Sequence, residues 1–132
     1  MTTVRALMTP SPRTIGSEQT VEEASRLLRY ANVRHLPVLA GGRLVGLLSE
    51  RDVRLVESFS GKERITVAEV MTPEPFAVGP DDELARVVET MATRKLGSAV
   101  VVEDAEVIGI FTTTDALHLL LKHLSIDTLR GF

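Results

Sequence analysis

Apolar positions in this chain change their spacing along its length, and then the whole pattern of changes occurs a second time. Val21, Ala24, Leu27, Leu28 and Ala31 fall three or four apart, the spacing of one helical face, and Thr20 with Glu23 has capping-box spacing at the start of that stripe. Leu84, Val87, Val88 and Met91 form a second stripe, entered through Asp81 and Asp82. After each stripe come two short apolar runs. These are His35–Leu39 and Arg43–Ser49, joined by Ala40-Gly41-Gly42, and later Ser98–Glu103 and Glu106–Thr112, joined by Asp104-Ala105. The joins have hairpin length, so each pair reads as two strands. Runs such as Ala99-Val100-Val101-Val102 read as strands covered on both faces. A closing helix is predicted over 50–59 and another over 113–124. Ahead of each stripe stands a segment ending in Met-Thr-Pro, at Met8–Pro10 and Met71–Pro73. The proline keeps Thr9 and Thr72 out of a helix interior. A brief extended piece follows, Arg13-Thr14-Ile15 in one case and Phe76-Ala77-Val78 in the other.

The two series superpose with a shift of 63 residues and no gap. Met8-Thr9-Pro10 falls on Met71-Thr72-Pro73, Gly16 on Gly79, Val38 on Val101, Gly46 on Gly109 and Asp52 on Asp115. Apolar character is kept where identity is not, as in Ile15 with Val78, Leu28 with Met91 and Val45 with Ile108. The chain therefore divides into two tandem units, 1–60 and 61–132, each ordered strand, helix, strand, strand, helix, which is an α+β class. A unit of about 60 residues buries too little surface to be comfortable alone, so the halves are expected to share a core.

Composition narrows the function. Of 132 residues 25% are charged, 44% are hydrophobic and the formal net charge is -3, which argues for a globular chain without the basic face that nucleic acid requires. There is no cysteine, so disulfides, thiolate metal sites and cysteine nucleophiles drop out. No apolar run approaches the roughly 18 residues of a membrane span. The first residues lack the apolar stretch of a secretory signal, so a soluble cytoplasmic protein is expected, with neither a membrane nor nucleic acid as partner.

One constellation recurs where the second strand of each hairpin meets the closing helix. It is Gly46-Leu47-Leu48-Ser49-Glu50-Arg51-Asp52 and Gly109-Ile110-Phe111-Thr112-Thr113-Thr114-Asp115. A helix start presents free backbone N–H groups and a positive dipole end to a phosphate, and Ser or Thr adds a hydroxyl. An Asp one turn on can accept both hydrogens of a vicinal diol such as ribose. A glycine upstream permits close approach. Ser49 with Asp52, and Thr112 with Asp115, equally have the spacing of a helix cap with an acid at the third helical position, which needs no ligand. Repetition in register favours the binding reading. Catalysis finds no support: there is no Gly-x-Ser-x-Gly elbow, phosphate-binding Walker loop or HExxH motif, and His118 and His123 are five apart. His35 is expected at a strand edge, and no metal site or catalytic residue is predicted.

With these residues in place the chain resembles a tandem pair of cystathionine-β-synthase (CBS) domains over about residues 3–122, through the two Met-Thr-Pro segments, Val33-Arg34-His35-Leu36-Pro37-Val38 and the two Gly-x-x-Ser/Thr-x-x-Asp segments. The resemblance implies a pseudo-twofold module packed sheet against sheet, with two clefts. It also implies a regulatory, non-enzymatic role and binding of AMP, ADP, ATP or S-adenosylmethionine as ligand rather than catalytic cofactor. Carried over by position, one cleft should combine Ser49, Arg51 and Asp52 with Phe76, Ala77 and Val78, with Arg34 reaching a phosphate there. The other should combine Thr112, Thr114 and Asp115 with Arg13, Thr14 and Ile15. Arg34 and Arg51 would make the first cleft the one that prefers ADP or ATP. Position 97, the counterpart of Arg34, is glycine, and Val100 stands where the first unit has Pro37. The closing helix carries Ala116, Leu117, Leu119, Leu120, Leu121 and Leu124, leaving almost no polar face, and the first carries Val53, Leu55, Val56 and Phe59. Such helices must be buried on two sides, which predicts a homodimer through 50–59 and 113–124, with docking of the tail over 125–132 as the alternative cover. Two function classes follow: an adenosine-ligand sensor acting on a partner protein, and a ligand-independent dimerisation or docking module with degenerate clefts.

Overall fold

In a computed structural model the described residues are 1–59 and 64–124, and within them the same backbone is drawn twice. The first copy comprises α1 (Val4–Leu7), β1 (Thr9–Pro10), β2 (Ile15–Gly16), α2 (Val21–Ala31), β3 (His35–Ala40), β4 (Arg43–Ser49) and α3 (Glu50–Glu57). The second comprises α4 (Val67–Val70), β5 (Thr72–Pro73), β6 (Ala77–Val78), α5 (Leu84–Arg94), β7 (Ser98–Glu103), β8 (Glu106–Thr112) and α6 (Thr113–His123). The mixed α+β class, the hairpins and the helices stand as the pattern predicts. The short helices α1 and α4 are additions, because a single turn is too short to show periodicity.

Repetition reaches backbone conformation even where residue types diverge. Left-handed φ values occur at Ser11 and Glu74, at Asn32 and Lys95, at Gly41 and Asp104, and at Gly42 and Ala105, every pair 63 apart. Asn32 and Lys95 end α2 and α5 as left-handed caps. Gly41 with Gly42, and Asp104 with Ala105, turn the hairpins, whose two-residue loops need positive φ at both positions. The capping box is formed: Glu23 N–H donates to Thr20 Oγ1 at 3.1 Å, and Thr20 N–H donates to Glu23 Oε1 at 3.0 Å. At α5 the aspartates do something else. Asp82 Oδ2 accepts from Gly79 N–H at 2.9 Å, as Gln19 Oε1 accepts from Gly16 N–H at 2.8 Å, so Asp82 closes the turn ahead of the helix.

The sheets are built by exchange. One runs β2-β3-β4-β5 and the other β1-β8-β7-β6. The Met-Thr-Pro strand of each copy thus adds to the edge of the other copy's sheet, with Thr9 opposite Ile110 and Thr72 opposite Leu47. Within each sheet the short strand β2 or β6 runs parallel to β3 or β7, a connection that needs a crossover, which α2 or α5 supplies.

Cores follow the exchange. Val67, from the second copy, is buried among Ile15, Val21, Ala24, Leu28, Leu36, Val38, Leu48 and Val53 of the first. Val4, from the first, is buried among Val78, Leu84, Val87, Met91, Ala99, Val101 and Phe111 of the second. The expected shared core is therefore two clusters, each completed by one turn of helix from the other half. Pro37, Val100 and Ile110 are also buried but belong to neither cluster. Side chains alternate along a strand, so these three face away from their own helices, toward the contact between β4 and β8 that joins the sheets. Both sheet faces are thereby covered, which is why the strands read as unbroken apolar runs.

Candidate functional site

Met8 and Met71 explain the glycines of the recurring motif. A Cβ at Gly109 would overlap Met8 Sδ, and one at Gly46 would overlap Met71 Sδ. Each glycine is thus a seat for the methionine of the exchanged segment, and the close approach it permits is protein on protein.

Directly beyond these seats stand the strand-to-helix junctions. Ser49 Oγ accepts from Asp52 N–H at 3.1 Å and Thr112 Oγ1 accepts from Asp115 N–H at 3.2 Å, so both hydroxyls cap their helices. The two aspartates differ. Asp115 Oδ2 takes Thr112 N–H at 2.9 Å and the Thr112 hydroxyl at 3.1 Å, closing a capping box and leaving Oδ1 without a hydrogen bond among the described residues. Asp52 is half-buried, and its carboxylate takes no hydrogen bond among the described residues.

A cleft of about 1270 Å³ opens beside Asp115. Thr112, Thr114 and Asp115 form one wall, and Arg13, Arg34, His35 and the end of α2 form the other. Arg13 stacks over the Tyr30 ring, 5.5 Å from its centroid, which holds the guanidinium at the rim. Arg54 also lines the cleft but is bridged to Glu50 at 3.4 Å. Thr14 is half-buried outside the lining, and Ile15 is buried in the first core, because Ile15 pairs with Val38 in the sheet and its side chain turns inward.

Arg34 lies in this cleft with Asp115 and not, as expected, beside Ser49 and Asp52. Arg34 C=O accepts from Glu50 N–H at 2.8 Å, which ties its backbone to the start of α3, and Arg34 lines the cleft beside His35. The Thr112–Asp115 cleft gathers Arg13 and Arg34, neither of which has a carboxylate partner among the described residues. Of the other expected set, Arg51 and Ala77 are exposed and Val78 is buried in the second core. Phe76 is half-buried against that core, beneath Arg94 at 5.8 Å.

His35, read from sequence as a plain strand-edge residue, is half-buried and lines the cleft. Its Nε2 lies 2.9 Å from where a Cβ on Gly97 would stand, so glycine at 97 makes room for the ring. Burial pushes the imidazole below its ordinary value and Arg34 adds to that, while Asp52 and Glu50 pull upward. No metal-ligating cluster is found among the described residues. None of the described helices is long and apolar enough to cross a membrane.

The paired sheets, the exchanged edge strands and the Asp at the third position of each closing helix define a two-repeat module. The CBS-domain family model matches residues 4–57 and 67–122, and the chain belongs to that family. It is 31% identical over 116 residues to CBS domain-containing protein YhcV of Bacillus subtilis, covering 87% of this chain and 83% of that one. It is 37% identical over 106 residues to an inosine-5'-monophosphate dehydrogenase of Korarchaeum cryptofilum, covering 80% of this chain but spanning only 21% of the dehydrogenase. Among solved structures it superposes on a putative acetoin utilization protein (AcuB) from Vibrio cholerae with TM-score 0.84 at 26% identity, covering 97% and 96% of the two chains. The CBS domain pair of protein MJ0100, solved with 5'-methylthioadenosine and S-adenosyl-L-methionine, gives TM-score 0.84 at 27% identity, over 93% and 98%. CBSX2 in complex with AMP gives 0.81 at 26%, over 95% and 100%.

Proposed function

We propose that this chain is a regulatory module that binds a phosphate-bearing adenosine ligand in the Arg13–Arg34–Asp115 cleft and passes the occupancy to a partner protein as a conformational change. One observation carries the reading: Asp115, Thr112 and Thr114 from one repeat face Arg13 and Arg34 from the other across a cleft of nucleotide size. Asp115 Oδ1 is suited to a ribose hydroxyl and the arginines to phosphate. Relatives of the same fold are solved with AMP and with S-adenosyl-L-methionine. The cations of this cleft favour AMP, ADP or ATP over the sulfonium ligand. A ligand that touches both repeats binds one of their relative arrangements better than another, which is the requirement for a signal. The repeats 1–60 and 61–132 then act as one unit, and Ser49, Arg51, Asp52 and Phe76 are the pseudo-twofold counterparts of the cleft residues, available for a second ligand.

Calorimetry tests the reading. Asp115→Asn keeps an acceptor for the helix cap but loses the charge, so nucleotide affinity is expected to fall about tenfold or more while the melting temperature is little changed. Affinity unchanged in that variant would reject the site.

The closing helices support self-association. Leu55, Phe59, Leu117, Leu120, Leu121 and Leu124 are 47–61% exposed, and α6 has no buried residue, so the module's own core covers far less of it than the sequence suggests. The tail expected as an alternative cover lies outside the described residues. A homodimer through α3 and α6 would bury these side chains. Light scattering is expected to give twice 14.4 kDa, and Leu120→Glu to bring the mass back to 14.4 kDa.

A further inference from the structure

His35 is a titratable side chain that both touches the other repeat and lines the cleft. It starts β3, its ring crosses to Gly97 of the other repeat, and it shares the cleft lining with Arg13, Arg34 and Asp115. The repeat itself marks the position as special. The counterparts of Arg34 and His35 are Gly97 and Ser98, so two large side chains on one side correspond to two small ones on the other. The ring at this contact belongs to the first repeat.

We propose that His35 takes up a proton when a phosphate-bearing ligand enters this cleft, so that binding is tighter in mildly acidic solution; the proposal rests on the reading of the cleft as a phosphate-ligand site. The charges around the ring set the direction. Arg34, next to it on the chain, opposes a second positive charge, whereas Glu50 and Asp52 of α3 support one. Arg13 and Arg54 share the cleft and oppose protonation, and Asp115 supports it. Gly97, packed against it from the second repeat, carries no charge. In the free protein, burial and Arg34 keep the ring neutral at neutral pH. Bound phosphate adds negative charge and offsets the arginines, so the complex holds more protons than the free protein. Affinity therefore rises as pH falls through the window between the free and bound titrations.

The test uses the whole chain with ATP and, separately, inorganic tripolyphosphate, titrated by calorimetry between pH 5.5 and 8. The terminal phosphate of ATP titrates in the same range, so the measure is the difference between wild type and His35→Gln at each pH. Wild type is expected to gain roughly three- to tenfold in affinity over the variant's own change on going to the acid end, the equivalent of half to one unit of imidazole shift. Nuclear magnetic resonance of the wild-type histidine rings gives an independent readout should the variant fold poorly. The His35 titration is expected to move upward on adding ATP, and Asp52→Asn to move it downward. Binding with identical pH slopes in wild type and variant, or a His35 titration unmoved by ATP, overturns the proposal and leaves the phosphate-ligand reading standing. Binding of neither ATP nor tripolyphosphate overturns both.

Discussion

Val4→Asp, a change in the first turn of the first repeat, is expected to loosen the second repeat and spare the first. Val4 is fully buried, and its neighbours are Val78, Leu84, Val87, Met91, Ala99, Val101 and Phe111. The turn that carries it is held by hydrogen bonds to the other half: Val4 N–H donates to Asp82 C=O and Arg5 N–H to Pro80 C=O, both at 3.0 Å. A carboxylate at this point has no partner among those side chains, so it must ionise unpaired, stay protonated, or expel the segment. Each route costs on the order of 4 kcal/mol, a large share of the 5–15 kcal/mol that a domain commonly has. Hydrogen exchange read by mass spectrometry locates the effect. Protection should drop in α5, β7 and β8 and hold in α2, β3 and β4. Loss confined to the first repeat's own helix and strands would show that the exchanged packing is not what holds α1.

Gly109→Val should be nearly as severe, and part of the damage should be reversible at a residue 101 positions away (109 − 8). Valine is at home in a strand, so local propensity predicts little harm. The harm comes from Met8, whose Sδ and Cγ occupy the space that any Cβ would need. Because the thioether sulfur lies in the middle of that side chain, it cannot swing clear as a terminal methyl would. The edge strand β1, bonded at Thr9 and Pro10 to Ile110 and Gly109, has to lift off. Overpacking of this kind costs about 1–3 kcal/mol, with the higher end expected here because strand pairing is lost as well. Met8→Ala removes the obstacle. In a denaturant-based double-mutant cycle, Gly109→Val with Met8→Ala should be more stable than the sum of the single changes predicts by more than about 1 kcal/mol. Strict additivity would mean that glycine is required for its backbone alone.

Much of this architecture is legible in the sequence, and the reasons are local. The Thr20–Glu23 capping box, the stripes of α2 and α5, the hairpin turns and both closing helices depend on residues within a turn or two of one another. The repeat of 63 was legible because each copy must satisfy the same local demands. The conformational match at Ser11 and Glu74, or Asn32 and Lys95, shows the demand outlasting residue identity. His35 stands at the start of β3 as expected, but its place in the cleft was not legible, for the opposite reason. A lone histidine at a strand start carries no local signal, and its significance comes from Gly97, a residue of the other repeat.

The sequence by itself determined the elements, their order, their doubling and the two Gly-x-x-Ser/Thr-x-x-Asp junctions, since helix periodicity, strand alternation, caps and turns are set by near neighbours. Only the tertiary structure decided which half each segment serves. Met-Thr-Pro opens one repeat in the chain and closes the sheet of the other, Val4 and Val67 fill cores that are not their own, and Arg34 lines the same cleft as Asp115. Those choices rest on contacts between residues far apart in the chain. A short edge strand can pair equally well with either sheet as far as its own sequence is concerned. The balance is tipped by the fit of a methionine against a distant glycine and of a valine into a distant core.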